Sequence, residues 1–131
     1  MKQEHLREIE IKTAVITVST TRTEETDTSG RAIRDLLAGA GFQVSVSAIV
    51  KDDIGAIRSI LARTLPEADA VIFNGGTGLT PDDCTIEAIE PFFEKKMEGF
   101  GELFRMLSYG EIGASALLSR AARGLGSDTA I

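Results

Sequence analysis

Three short runs rich in β-branched residues, at 13–19, 42–50 and 68–73, alternate with two stretches whose apolar positions recur every three or four residues. No other feature restricts the fold as strongly, because strands alternating with helices pair in parallel through right-handed crossovers. The first run, Thr-Ala-Val-Ile-Thr-Val-Ser, is almost continuously apolar, the pattern of a central strand covered on both faces. The run at 42–50 alternates apolar with Gln43, Ser45 and Ser47, which places it nearer a sheet edge. Between them, Ile33, Leu36, Leu37 and Ala40 form one stripe of a helix over 30–40, with Thr28 or Ser29 as its N-cap and Gly41 as its stop. A second stripe, Ile54, Ile57, Ile60, Leu61 and Leu65, ends at Pro66. The expected fold is α/β, a three-layer sandwich with a mostly parallel central sheet. Ligands in such folds bind beyond the carboxyl ends of the strands, here residues 18–20, 50–52 and 74–78.

The remaining pattern fits one domain spanning 1–131, since 131 residues suffice for a single buried core. Residues 1–12 read as an N-terminal arm. Helices are expected over 85–93, 102–108 and 114–123, the last ended by Gly124 and Gly126, with a fourth strand at 129–131. A net charge of −6 without a basic block argues against nucleic acid as a partner. One cysteine, Cys84, and one histidine, His5, exclude an internal disulfide and argue against a zinc site, so the compartment reads as reducing and cytoplasmic. No apolar stretch reaches the length of a membrane span.

Gly75-Gly76-Thr77-Gly78 follows the third apolar run directly. Glycines there permit positive φ and let backbone N–H groups approach an anion, and the Thr77 hydroxyl adds a donor, so the loop reads as a phosphate cradle or, more plainly, as a tight turn. It is neither a Walker loop nor a dinucleotide fingerprint, because no Gly-Lys-Ser/Thr and no Gly-x-Gly-x-x-Gly is present. Thr80-Pro81-Asp82-Asp83 fits a capped helix start, in which case Asp83 is structural. An acid just past a phosphate cradle is equally where a Mg²⁺ ligand sits. Asp52 and Asp53 can simply favour a helix N-terminus, yet Asp52 falls on the same sheet edge as Asp83. Glu102, Arg105 and Ser108 recur at three-residue steps and form one polar helical face, which solvent alone would explain. Cys84 has no neighbouring histidine and reads as a small hydrophobe.

Several of these segments together resemble the molybdenum cofactor biosynthesis family of MogA/MoaB type. They are Thr28-Ser29-Gly30, the Asp52 turn, Gly75-Gly76-Thr77-Gly78, the block from Asp83-Cys84-Thr85-Ile86 to Glu87-Ala88, and Glu98-Gly99-Phe100-Gly101-Glu102-Leu103-Phe104-Arg105-Met106-Leu107-Ser108. The last block, with Glu111-Ile112-Gly113 and Leu118-Ser119-Arg120-Ala121, is closer to the MoaB branch. The resemblance implies an assembly of trimers or hexamers that binds molybdopterin and transfers AMP to it from Mg-ATP, with pyrophosphate as the second product. It further implies Asp52 and Asp83 as catalytic and Mg²⁺-binding acids. Ser29, Gly30, Gly75, Gly76, Thr77, Gly78, Thr85, Glu102 and Ser108 match substrate-binding positions. Thr20 and Asp82 stand where many relatives carry Asp and Arg. The family pattern also expects a Leu-Pro-Gly loop and a final helix after Ile131. The alternatives are a catalytically silent molybdopterin-binding scaffold, and a generic nucleotide-binding module in which both aspartates only cap helices. Positive charge toward the phosphates could come from Lys51, Arg22 or Arg105.

Overall fold

The computed structural model describes residues 11–76, 81, 83–96, 124–126 and 129–131. In chain order the elements are β1 (Lys12–Val18), α1 (Thr28–Gly39), β2 (Gln43–Val50), α2 (Ile54–Thr64), β3 (Ala70–Asn74), α3 (Thr85–Ile89), β4 (Lys95–Lys96), β5 (Gly124–Gly126) and β6 (Thr129–Ala130). Short 3₁₀ turns at Leu65–Glu67 and Glu90–Phe92 follow α2 and α3. Among the described residues the sheet has six strands in the order β2-β1-β3-β6-β5-β4. The first four are parallel, and β5 and β4 run antiparallel to their neighbours. The expected α/β sandwich with a mostly parallel sheet is therefore what the chain forms, with β1 central and β2 at the edge.

Because β1 lies between β2 and β3, the crossover from β1 to β2 and the one from β2 to β3 run in opposite directions along the sheet, and right-handedness then puts α1 and α2 on opposite faces. The strand's alternation divides the packing accordingly. Ala14, Ile16 and Val18 join Ile57 and Leu61 of α2, Ala88 and Ile89 of α3, and Ala68 and Val71 in one buried apolar cluster. On the other face Thr17 donates from its hydroxyl to Asp27 at the start of α1, at 2.7 Å. One face is thus held by apolar burial and the other is tied by a buried polar contact.

Several expectations need correction. Helix α1 starts at Thr28 rather than 30, and its cap is Asp27 rather than Thr28 or Ser29, because the buried Asp27 carboxylate accepts from Gly30 N at 3.1 Å. Gly41 does end it, with φ of +89°. Its apolar stripe is only partly covered, and Leu36 is 74% exposed. The supposed arm includes part of the sheet: Ile11 O accepts from Gln43 N, and Lys12 O from Asp69 N. Helix α3 occupies Thr85–Ile89 rather than 85–93. Pro91 lacks the amide that would continue it, and Arg58 instead donates from Nε to Ala88 O at 3.0 Å and from its Nη2 to Glu87 O at 3.2 Å. Gly124–Gly126 forms a strand, in which Leu125 and Gly126 pair with Ala130 and Thr129; whether a helix ends before it lies outside the described residues. The strand at Lys95–Lys96 was not foreseen. The helices expected over 102–108 and 114–123 lie outside the described residues.

Candidate functional site

Strand order reverses between β1 and β3, the kind of switch point beside which open α/β sheets carry their ligand crevice. On the β3 side the chain leaves Asn74 through Gly75 and Gly76, with φ of +106° and +65°. Gly75 is required by more than its dihedral: a Cβ there would stand 2.4 Å from the backbone oxygen of Val18 at the end of β1. At Gly76 a Cβ would meet Thr85 Oγ1 at 2.3 Å and Asp52 Oδ1 at 3.2 Å. The two glycines therefore let the loop pass between the end of β1, the turn after β2 and the start of α3.

Thr85 fixes this loop from behind. It is buried, its hydroxyl donates to Gly75 O at 2.7 Å, and its amide donates to Gly76 O at 3.0 Å. With Gly75 O turned toward Thr85, the trans peptide directs the N–H of Gly76 the opposite way, as a cradle for an anion demands. Thr85, one of the matched substrate-binding positions, uses its hydroxyl to shape the loop. Thr77 and Gly78, the rest of the cradle motif, lie outside the described residues, as do Glu102, Ser108 and Arg105.

The two neighbouring aspartates after β2 do different work. Asp53 is the N-cap of α2, accepting from Ala56 N at 2.8 Å. Asp52 is left out of the helix and turns to the cradle, with Oδ1 toward Gly76 and Oδ2 accepting from Thr20 Oγ1 at 3.1 Å. Asp83 precedes α3 by two residues instead of sitting in its first turn, so the expected capping box does not describe it. Helix α3 has Cys84 at its N-cap position, without a side-chain capping bond. The fields of Asp52 and Asp83 both reach Cys84: its thiol is pushed above the ordinary cysteine range first by burial, then by Asp52, Asp53, Glu87 and Asp83. Asp52 Oδ1 and Thr85 Oγ1 both meet the Cβ position of Gly76, and Asp83 precedes Thr85 by two residues, so the two acids belong to the same neighbourhood. Among the described residues no three His, Cys, Asp or Glu side chains converge as a metal cage. Mg²⁺ does not need one, because it is commonly held by one or two carboxylates with substrate phosphates.

The α1 side of the crevice is set by a buried node that sequence reading missed. Asp27 joins Thr17 Oγ1 to Gly30 N, and Arg34 lies 4.0 Å away. A Cβ on Gly30 would collide with Asp27 and Thr17, so this matched position is needed to let the node close. Ser29, one residue before, accepts from Asn74 Nδ2 at 2.8 Å, which ties the first turn of α1 to the end of β3. The available signal was the spacing of Asp27 three residues before Gly30. Of the candidate cations, Arg22 donates from its guanidinium to Thr26 O at 2.8 Å within its own loop, and Lys51 is exposed. No helix among the described residues is long and apolar enough to cross a membrane.

These features define a doubly wound α/β domain with a tight glycine loop and an adjacent carboxylate at its switch point. The family described as "Probable molybdopterin binding domain" matches residues 14–130, and the chain belongs to it. It is 50% identical over 134 residues to Molybdenum cofactor biosynthesis protein B of Bacillus subtilis (strain 168), covering 98% of this chain and 79% of that protein. A crystal structure of Molybdenum cofactor biosynthesis protein B superposes with a TM-score of 0.86 at 47% identity, covering 93% of this chain and 78% of that one. The tungsten cofactor synthesizing protein MoaB from Pyrococcus furiosus superposes with a TM-score of 0.81 at 36% identity, covering 93% and 78%.

Proposed function

We propose that this chain acts in molybdenum cofactor biosynthesis by binding molybdopterin and transferring AMP from Mg-ATP to its terminal phosphate. The observation that carries the reading is the Asp52 carboxylate, excluded from helix capping and set beside the Gly76 backbone. In the reaction a phosphate oxygen of molybdopterin attacks the α-phosphorus of ATP, the bond from that phosphorus to the β-phosphate bridge breaks, and pyrophosphate leaves. The attacking phosphate is ionised at neutral pH, so no strong base is called for. Such transfers depend on in-line positioning and charge neutralisation rather than on a covalent nucleophile.

The residues fit a hard cation: Asp52 offers a carboxylate oxygen beside Gly76, and Asp83 stands two residues before Thr85, which meets the same glycine. Mg²⁺ bound there would supply neutralisation of the triphosphate charge. The Gly76 amide is directed to favour phosphate oxygens, and Ser29 with Gly30 borders the opposite wall. A homotrimeric or homohexameric assembly in the cytoplasm belongs to the same proposal, with sedimentation equilibrium as its check.

Incubating the protein with molybdopterin and Mg-ATP should give adenylyl-molybdopterin and pyrophosphate, and Asp52→Asn should abolish the product while the protein remains folded. Molybdopterin binding without any AMP transfer would instead assign a silent binding scaffold. Transfer undiminished in Asp52→Asn would refute the assignment of the acid.

A further inference from the structure

Asp52 can serve the cradle only if its carboxylate is held in one orientation, and the side chain next to it in sequence does not do this. Asp53 is committed to capping α2 through Ala56 N. The contact that does orient Asp52 comes from the end of β1, 32 positions earlier in the chain, where Thr20 Oγ1 donates to Asp52 Oδ2 at 3.1 Å. Thr20 is itself held by anchored neighbours. Ser19 N donates to Val50 O at 2.8 Å, and Ser19 Oγ accepts from the amides of Thr21 and Arg22 at 3.3 and 3.1 Å.

We propose that Thr20 is a positioning residue for Asp52: its hydroxyl holds Oδ2, and thereby keeps Oδ1 turned to the Gly76 cradle where a cation with its nucleotide phosphates would bind. This rests on the functional reading above. The geometry supports it from both ends, since Oδ1 stands 3.2 Å from the Cβ position of Gly76 while Oδ2 takes the Thr20 proton. A hydroxyl suits this task better than a carboxylate would, because it donates to Asp52 where a second acid would repel it. It is also exposed, so little of the core depends on it.

The test is the affinity of the full-length protein for Mn-ATP, followed by water proton relaxation, in Asp52→Asn, Thr20→Val and Thr20→Ser. Thr20→Val keeps the shape and removes the donor. It should weaken Mn-ATP binding about fivefold, the worth of one ordinary hydrogen bond, since water at this exposed site replaces part of the charged contact, with the urea midpoint unchanged. Thr20→Ser should restore wild-type binding. Loss of binding in Asp52→Asn with no change in Thr20→Val overturns the role of Thr20 and leaves the acid's role standing. Unchanged binding in Asp52→Asn overturns both. A crystal structure of Thr20→Val in which Asp52 Oδ1 still faces Gly76 likewise overturns the proposal.

Discussion

A double-substitution cycle on Gly76 and Thr85 isolates the contact that shapes the cradle. Gly76→Ala imposes a side chain on a φ of +65°, which costs about 1 to 2 kcal/mol by itself. The new methyl would also stand 2.3 Å from Thr85 Oγ1, and Thr85 is 1% exposed with its hydroxyl bonded to Gly75 O, so it has little room to retreat. Overpacking of this kind adds roughly 1 to 3 kcal/mol. The single variant should therefore lose about 2 to 5 kcal/mol. Thr85→Ala leaves Gly75 O without its buried donor and opens a small void, costing about 2 kcal/mol. Together the changes relieve one another, because the methyl on residue 76 enters space vacated by the threonine. The double variant should be at least about 1 kcal/mol more stable than the sum of the single losses predicts. The chain contains no tryptophan, so far-UV circular dichroism in urea is the suitable signal. Additivity within about 0.5 kcal/mol would refute the close approach on which the cradle argument stands.

Two further outcomes follow from the neighbourhood of the site. Asp27→Ala strands the Thr17 hydroxyl and the Gly30 amide, so urea unfolding should show a loss of about 3 kcal/mol. Asp27→Asn, which keeps one acceptor, should lose less, and a loss under about 1 kcal/mol for Asp27→Ala would contradict the node. For Cys84, burial and then the charge of Asp52 raise the thiol, so its alkylation by iodoacetamide should have a pH midpoint above that of a free cysteine. Asp52→Asn removes a negative charge near the thiolate and should move that midpoint down; an unchanged midpoint would mean the two groups are not neighbours. The linked stability has a fixed sign: the folded thiol titrates above the unfolded one, so its contribution is whole below the unfolded value and is lost as pH rises toward the folded value.

The parallel core of the fold was legible because its signals are local and redundant. The β1 run, the α2 stripe and Gly41 each state their element within a few residues, and the β-strand/helix alternation leaves one chirality. What failed was local chemistry with two valid solutions. Thr28, Ser29 and Asp27 are all good caps, and only the distant Thr17 selects Asp27. Gly124–Gly126 carries no strand propensity of its own and becomes one by pairing with β6. At the candidate site, Asp52 could be put on the right edge from sequence. Its separation from Asp53 could not, because adjacent aspartates before a helix look alike until one carboxylate is seen to reach Ala56 N.

The division of labour between the two sheet faces explains why the site can be both rigid and polar. On the α2 face, apolar burial of Ile16, Ile57 and Leu61 supplies stability but little directional control, since hydrophobic attraction does not specify angle. The α1 face, where Val15 is also fully buried, adds the Thr17–Asp27–Gly30 node, whose hydrogen bonds fix where the first turn of α1 starts. Asn74 then links Ser29 to β3, and Thr85 links the glycine loop to α3. Each wall of the crevice is thus located by a directional bond to a neighbouring element, while the weight of folding rests on the opposite face. A change that weakens the apolar cluster should lower stability without moving the cradle. A change at Asp27 or Thr85 should displace it, and the different responses of molybdopterin binding to Leu61→Ala and Asp27→Asn at matched stability test that separation.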